Sequence, residues 1–295
     1  MEFRRFGKTD MEVSVLGFGG AEIGFESAPQ DAVERLLNPA LDAGLNVIDT
    51  GECYANSEEL IGRSVSHRRD DFFLFTKCGH SSGFPEPDWD LGMLLRQIDR
   101  SLSRLNTDHL DLLQLHGCSE QLLRDGGVID VLRRAREAGK TRYIGYSGDD
   151  SPARYAVDSG AFDSLQTSCN IADQQSIDLT LPKAASSGMG VIAKRPIANV
   201  AWRNGEPPDA YGHTYWERLG KLGYRFLEGE KAVETALRFT LAQTGICTAI
   251  VGTKNPERWL SNAAFAEAGP LPVEQVQAIR SRWKEVAGRD WVGQG

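Results

Sequence analysis

Eight short apolar runs recur along the 295 residues, and amphipathic stretches of roughly 12–15 residues separate them. The predicted strands are Val13–Gly19, Asn46–Asp49, Phe72–Lys77, Leu110–His116, Arg142–Tyr146, Ser164–Ser168, Val191–Lys194 and Thr248–Val251. A helical pattern follows each. It is plainest over Leu94–Leu105, where Leu95, Ile98, Leu102 and Leu105 share a face, and over Val128–Ala138. Ala43-Gly44, Ala138-Gly139, Ser159-Gly160 and Ser187-Gly188 each fall between a helix and the next strand, where glycine supplies the left-handed cap that ends a helix.

This rhythm predicts an α/β chain closed into a (β/α)8 TIM barrel. An open doubly wound sheet is the competing arrangement. If it bound a dinucleotide it would carry GxGxxG after its first strand. Here that strand runs into Gly17-Phe18-Gly19-Gly20-Ala21-Glu22, the third glycine is missing, and the next helix starts late, near Pro29. Two segments stand outside the repeat. Residues 1–12 predict an N-terminal β-hairpin that plugs the lower end of the barrel. Residues 197–229 predict a long loop after strand seven, rich in Pro, Gly and aromatics. Pro272 to Gly288 reads as a terminal helix. No interdomain linker interrupts the pattern, so residues 1–295 are expected to form one domain.

The net charge of −8 argues against general nucleic-acid binding, which needs a basic surface. No apolar stretch approaches a membrane span, and Met1 to Asp10 lacks the apolar core of a signal peptide, so a cytoplasmic protein is expected. The five cysteines, at 53, 78, 118, 169 and 247, form no CxxC pair, and their odd number fits reduced thiols better than disulfides. No Cys or His spacing suggests a metal site.

Functional groups in such barrels gather at the C-terminal ends of the strands. Those ends are Asp49 on the second strand, Lys77 on the third and His116 on the fourth, with Tyr54 in the loop just past Asp49. If Phe73 and Phe75 fill the barrel, strand alternation points Lys77 inward too. Singly, each has an ordinary structural explanation: a helix cap, a solvated lysine, a hydrogen-bonded histidine, a packed tyrosine. Together they suit proton donation to an oxygen that gains negative charge. A phenol titrates near 10, and a neighbouring ammonium lowers that value. A carboxylate keeps the ammonium charged, and histidine can hydrogen-bond a carbonyl oxygen. No side chain supplies a hydride, and a nicotinamide cofactor would.

These residues lie in motifs that resemble the aldo-keto reductase family over essentially the whole chain. Asn46–Gly62 (NVIDTGECYANSEELIG) is similar to its Asp-Thr-Ala-x-x-Tyr-Gly-x-Ser-Glu segment, Phe75-Thr-Lys77 to its strand-three lysine, and Asp111–His116 to its strand-four histidine. Arg5–Gly19 resembles its N-terminal hairpin and first strand. The resemblance implies Tyr54 as the acid–base residue, Lys77 and Asp49 tuning it, and His116 orienting the carbonyl of a small-molecule substrate. It also implies a monomer that binds NADP(H) across the barrel top.

On the cofactor side the resemblance implies Gly20 after strand one, Ser147 and Gln166 at the carboxamide, and Thr253, Lys254, Arg258 and Asn262 at the adenosine 2′-phosphate end. Gln166 alone would read as a buried structural amide. Gly148 stands where an Asn is usual, and Gly252 where many members are basic. Strand seven carries Lys194-Arg195 in place of a stacking aromatic. Arginine can stack on a flat ring and either cation can meet a pyrophosphate, so at least one of them is expected to contact the cofactor; the alternative is that one pairs with an acidic neighbour. NADP(H) is expected over NAD(H). A solvated helix start at Lys254 and Arg258 would instead predict weak discrimination between them.

Two other functions compete: a cofactor-binding redox sensor with little turnover, and an isomerase or aldolase using Lys77 as a Schiff base. The latter has no need of Asp49 and Tyr54 at this spacing. Trp89, Trp202, Tyr211, His213 and Trp216 either line a substrate pocket or pack a loop-borne helix. Cys53, Cys78 and Cys118 are not expected to be catalytic, and Cys78 should face the helix layer, opposite to Lys77.

Overall fold

The computed structural model describes residues 1–208 and 210–294, the side chains of Ala210 and Tyr211 excepted. Strands β1 (Phe3–Arg5) and β2 (Glu12–Ser14) pair as an antiparallel hairpin. Eight parallel strands then close into a barrel: β3 (Leu16–Gly19), β4 (Val47–Asp49), β5 (Phe73–Cys78), β6 (Leu110–His116), β7 (Thr141–Ser147), β8 (Ser164–Ser168), β9 (Gly190–Lys194) and β10 (Thr248–Val251), with β10 bonded to both β9 and β3. The single apolar run 13–19 is thus split at Val15. Its first part belongs to the hairpin and its second to the barrel, because the chain must turn there to leave the plug and enter the wall.

Strand alternation sorts the side chains into two cores. One set faces the helices: Leu16, Phe18, Ile48, Leu74, Leu113, Ile144, Leu165, Val191 and Ala249 are all buried there, and so is Cys78, on the opposite face from Lys77. The other set fills the barrel, where Val47, Phe75, Leu112 and Ile192 meet the hairpin residues Phe6, Met11 and Val13. Two residues further along four of the same strands come Asp49, Lys77, Gln114 and Lys194. The apolar layer is therefore the floor of a polar one, and the period of two sets which residues reach the mouth.

Helices follow the strands where the pattern predicts them, as at Leu91–Leu105 and Gly127–Glu137. Gly139 and Gly160 adopt φ of +74° and +64° after their helices, a conformation that glycine reaches without a Cβ clash. The principal departure is at 197–229. The expected loop contains a 3-10 segment (Ala198–Arg203), a helix (Ala210–Leu222) and a second 3-10 turn (Arg225–Glu228). Tyr215, Arg218, Leu219 and Leu222 of this helix are buried, against Trp291 and the terminal helix Val273–Val286. Gly212 and Gly220 within it lower its helix propensity, and packing overrides them. Trp202 and Trp216 pack with the same cluster, and both also line a cavity beside this helix together with Tyr224 and Leu227; the side chain of Tyr211 lies outside the described residues.

The plug depends on Phe6, which is fully buried, 5.6 Å ring to ring from Phe75 and pressed on Gly190. Phe6→Ala should cost roughly 3–5 kcal/mol in urea-induced unfolding. A loss below about 1 kcal/mol would show that the hairpin is dispensable to the barrel.

Candidate active site

At the mouth of the barrel Lys77 is 2% exposed and Asp49 1%. The Lys77 ammonium donates to Asp49 Oδ1 and to the Thr50 carbonyl at 2.6 Å. The other carboxylate oxygen of Asp49 accepts from Gln166 Nε2 (3.0 Å) and Gln114 Nε2 (3.2 Å). Ser147 Oγ in turn donates to Gln166 Oε1 at 2.8 Å. One chain of hydrogen bonds thus crosses the mouth from β7 through β8 and β4 to β5. Burial raises the Asp49 carboxyl above its usual range despite Lys77 and the two amides. Burial works against the Lys77 charge, but Asp49 and Tyr54 outweigh it and hold the ammonium above its ordinary value.

Tyr54 projects over this pair, its ring centre 5.1 Å from Lys77 Nζ. Its hydroxyl lies 3.4 Å from His116 Nε2, and the two rings meet edge to face. His116 is held well below its ordinary value by burial, Lys77, His80, Lys194 and Arg195, and is therefore a neutral imidazole at physiological pH. Its Nδ1 lies 3.3 Å from Cys53 Sγ. Phe25 flanks Tyr54 at 5.5 Å, and His80 stands 5.1 Å from His116 and 5.7 Å from Trp89. Trp89, one of the aromatics considered from sequence, is thus at the mouth.

The loop carrying Tyr54 is pinned from below. Glu52 N donates to the Lys77 carbonyl (3.0 Å), and the buried Glu52 carboxylate is met by Arg100, Arg104 (3.0 Å) and Gln97 (3.1 Å). Glu58 accepts from Thr76 Oγ1 at 2.7 Å, and burial pushes its carboxyl up to about 7. Sequence reasoning missed Glu52, Glu58, Gln97 and Gln114. The one available signal was Arg100 and Arg104, a turn apart on the helix that faces this loop.

On the cofactor side, Ser147 and Gln166 come together on paired strands, Ser147 opposite Gln166. Gly148 follows from Tyr146: a Cβ there would lie 2.5 Å from the Tyr146 hydroxyl, which donates to the Cys118 carbonyl. Gly20 follows from Ser57, whose hydroxyl donates to the Gly20 carbonyl at 2.7 Å and would meet an added Cβ at 2.6 Å. Lys194 pairs with Asp149 at 2.9 Å; despite burial, Lys194 and the backbone of Ser168 hold Asp149 below its usual value. Arg195 donates to the Gln294 carbonyl, which Ser168 Oγ also approaches at 3.4 Å, so the segment Val292–Gln294 lies over the ends of β8 and β9. Across the mouth, Thr253 and Asn262 are buried and Lys254 and Arg258 exposed at the start of the helix Pro256–Glu267. Lys254 pairs with Glu26, and its backbone N–H donates to Glu22 at 3.3 Å. Burial and the nearby Glu26 raise the Glu22 carboxyl. Among the described residues no group of His, Cys, Asp and Glu is arranged to hold a metal ion, and no helix is long and apolar enough to cross a membrane.

Removing one member of the buried pair strands the other. Lys77→Met should cost roughly 3–5 kcal/mol of stability, and the double variant Asp49→Asn/Lys77→Met much less. Equal losses in denaturant titrations would mean that the cost lies in packing and not in the uncompensated charge.

The aldo/keto reductase family model matches residues 15–284. The chain is 29% identical to the L-galactose dehydrogenase of Arabidopsis thaliana, over 93% of this chain and 91% of that one. It is 27% identical to the uncharacterized oxidoreductase YqkF of Bacillus subtilis, over 97% of each. Among solved structures, the holo form of the aldo-keto reductase AKR11C1 from Bacillus halodurans superposes with a TM-score of 0.84, at 26% identity over 99% of both chains. With a family match across most of its length and a like-folded family member over nearly all of it, this chain belongs to the aldo/keto reductase family.

Proposed function

We propose that the protein is an NADP(H)-dependent oxidoreductase that reduces an aldehyde or ketone to the alcohol, with Tyr54 as the proton donor. The observation that carries this reading is the charged, buried Lys77 over the Tyr54 ring, with a neutral His116 3.4 Å from the Tyr54 hydroxyl. A nicotinamide bound at the mouth would supply the hydride. In this reading Asp49 keeps Lys77 charged, and the ammonium favours the phenolate and so eases release of the Tyr54 proton. His116 Nε2 holds the substrate oxygen, and Tyr54 delivers the proton as that oxygen becomes negative. Phe25, His80 and Trp89 form the approach for a small carbonyl compound. Residues 1–295 act as one domain and as a cytoplasmic monomer.

The residues present fit such a cofactor. Ser147 and Gln166 offer a hydroxyl and an amide to a carboxamide, Lys194 and Arg195 offer charge to a pyrophosphate, and Gly20 lies on the same rim. Thr253, Lys254, Arg258 and Asn262 surround a helix start, where backbone N–H groups favour an anion. The exposed Lys254–Glu26 pair is screened by water, so a 2′-phosphate can take the place of Glu26 on Lys254. Lys194 held by Asp149, and Arg195 held by the Gln294 carbonyl, favour a second reading: a cofactor-binding redox sensor or regulatory barrel with little turnover.

Wild-type protein mixed with NADPH and a panel of aldehydes should oxidise NADPH. Tyr54→Phe should lower turnover by about a hundredfold or more while still binding cofactor. Normal turnover in that variant removes Tyr54 as the acid, and wild-type protein that binds NADPH without turnover supports the sensor. In thermal-shift measurements NADPH should stabilise the protein more than NADH, and Glu26→Gln should widen the difference. Equal shifts from both cofactors would refute the 2′-phosphate site.

A further inference from the structure

We infer that Cys53 is a positioning residue for His116: its thiol donates to Nδ1, which places the imidazole proton on Nε2, facing Tyr54 and the substrate oxygen. The inference rests on the proposed reaction for its consequence, but the tautomer itself can be observed without turnover.

Two arrangements are compatible with the distances. In one, Cys53 S–H donates to Nδ1 across 3.3 Å, and Nε2–H points toward the Tyr54 hydroxyl 3.4 Å away. In the other, Nδ1–H donates to sulfur and Nε2 accepts the Tyr54 proton. The chemistry of the donor set separates them. A thiol has a proton to give but its sulfur is a weak acceptor, whereas a neutral imidazole nitrogen is a good acceptor. Burial pushes the Cys53 thiol up to about 11, so it remains S–H at physiological pH. Burial and the surrounding cations also keep His116 neutral, so one ring nitrogen is always available as the acceptor. The second arrangement would spend the Tyr54 proton on His116, in competition with the substrate. In the first, the Nε2–H and the Tyr54 O–H can both donate to one carbonyl oxygen.

The raised thiol value also argues against a reactive cysteine, since the thiolate is the nucleophile. Cys53 is half-buried on the pinned loop Gly51–Asn56, directly before Tyr54, so one loop sets both the acid and the orientation of its partner.

The test compares Cys53→Ser, which keeps an O–H donor, with Cys53→Ala, which has none. In 15N-histidine-labelled protein, with the His116 signals identified by their loss in His116→Gln, wild type and Cys53→Ser should show the Nε2–H tautomer. Cys53→Ala should show a mixture or the Nδ1–H form. With NADPH and 4-nitrobenzaldehyde as the probe pair, kcat should fall about tenfold in Cys53→Ala and within threefold in Cys53→Ser, with unchanged NADPH affinity. An unaltered Nε2–H tautomer in Cys53→Ala overturns the inference whatever the activity. A changed tautomer in protein that turns over no carbonyl compound would uphold the contact and refute the proposed reaction instead. A loss of kcat in both variants without a tautomer change would assign Cys53 a packing role.

Discussion

A lysine and an aspartate with almost no exposure face each other at the centre of the barrel mouth, and the surrounding arrangement answers to that fact. Two charges removed from water must find compensation nearby. Lys77 finds it in Asp49 and the Thr50 carbonyl; Asp49 finds the rest in the amides of Gln114 and Gln166. Those partners come from β6 and β8, so the pair ties the closure of the barrel to the geometry of the site. Gln166 then engages Ser147, and the proposed carboxamide contacts become part of the same network as the proposed acid. Gln166, which would read alone as a structural amide, is one in this network, and the proposed function adds a carboxamide contact to it.

The apolar floor beneath that network is what makes it dry. Phe6, Met11 and Val13 fill the barrel from below, and Val47, Phe75, Leu112 and Ile192 fill it from the walls, so apolar side chains close the polar layer off from beneath. In such surroundings the field of one ammonium is felt strongly by a phenol nearby. The same burial that raises Asp49 and lowers His116 leaves His116 neutral, which suits a hydrogen-bond donor better than a competing cation.

The departures from the family pattern each have a local cause. Gly148 stands where an Asn is usual because the Tyr146 phenol already fills the space of a side chain. Lys194 and Arg195 replace an aromatic, and here they meet Asp149 and the Gln294 carbonyl. Glu22 and Glu26 crowd the cations proposed for the 2′-phosphate. The proposed acid–base half is thus built around the buried Lys77–Asp49 pair. In the proposed cofactor half, Lys194, Arg195 and Lys254 already have partners, which a bound cofactor would displace.

By itself the sequence determined the (β/α)8 repeat, the hairpin plug and the four residues Asp49, Tyr54, Lys77 and His116. Period-two and period-3.6 patterning and strand-end placement are local properties, legible over a few residues. Tertiary structure alone decided that residues 210–222 form a helix in place of a loop, because the burial of Tyr215, Leu219 and Leu222 overrides two helix glycines. It alone decided that Trp202 and Trp216 pack that helix while Trp89 reaches the mouth. It also decided that Glu52, Glu58 and Gln114 support the site, and that Cys53 meets His116 from 63 residues away. Such contacts join strands and loops far apart in the chain. No short-range pattern records them, and only closure of the barrel brings their partners within hydrogen-bond reach.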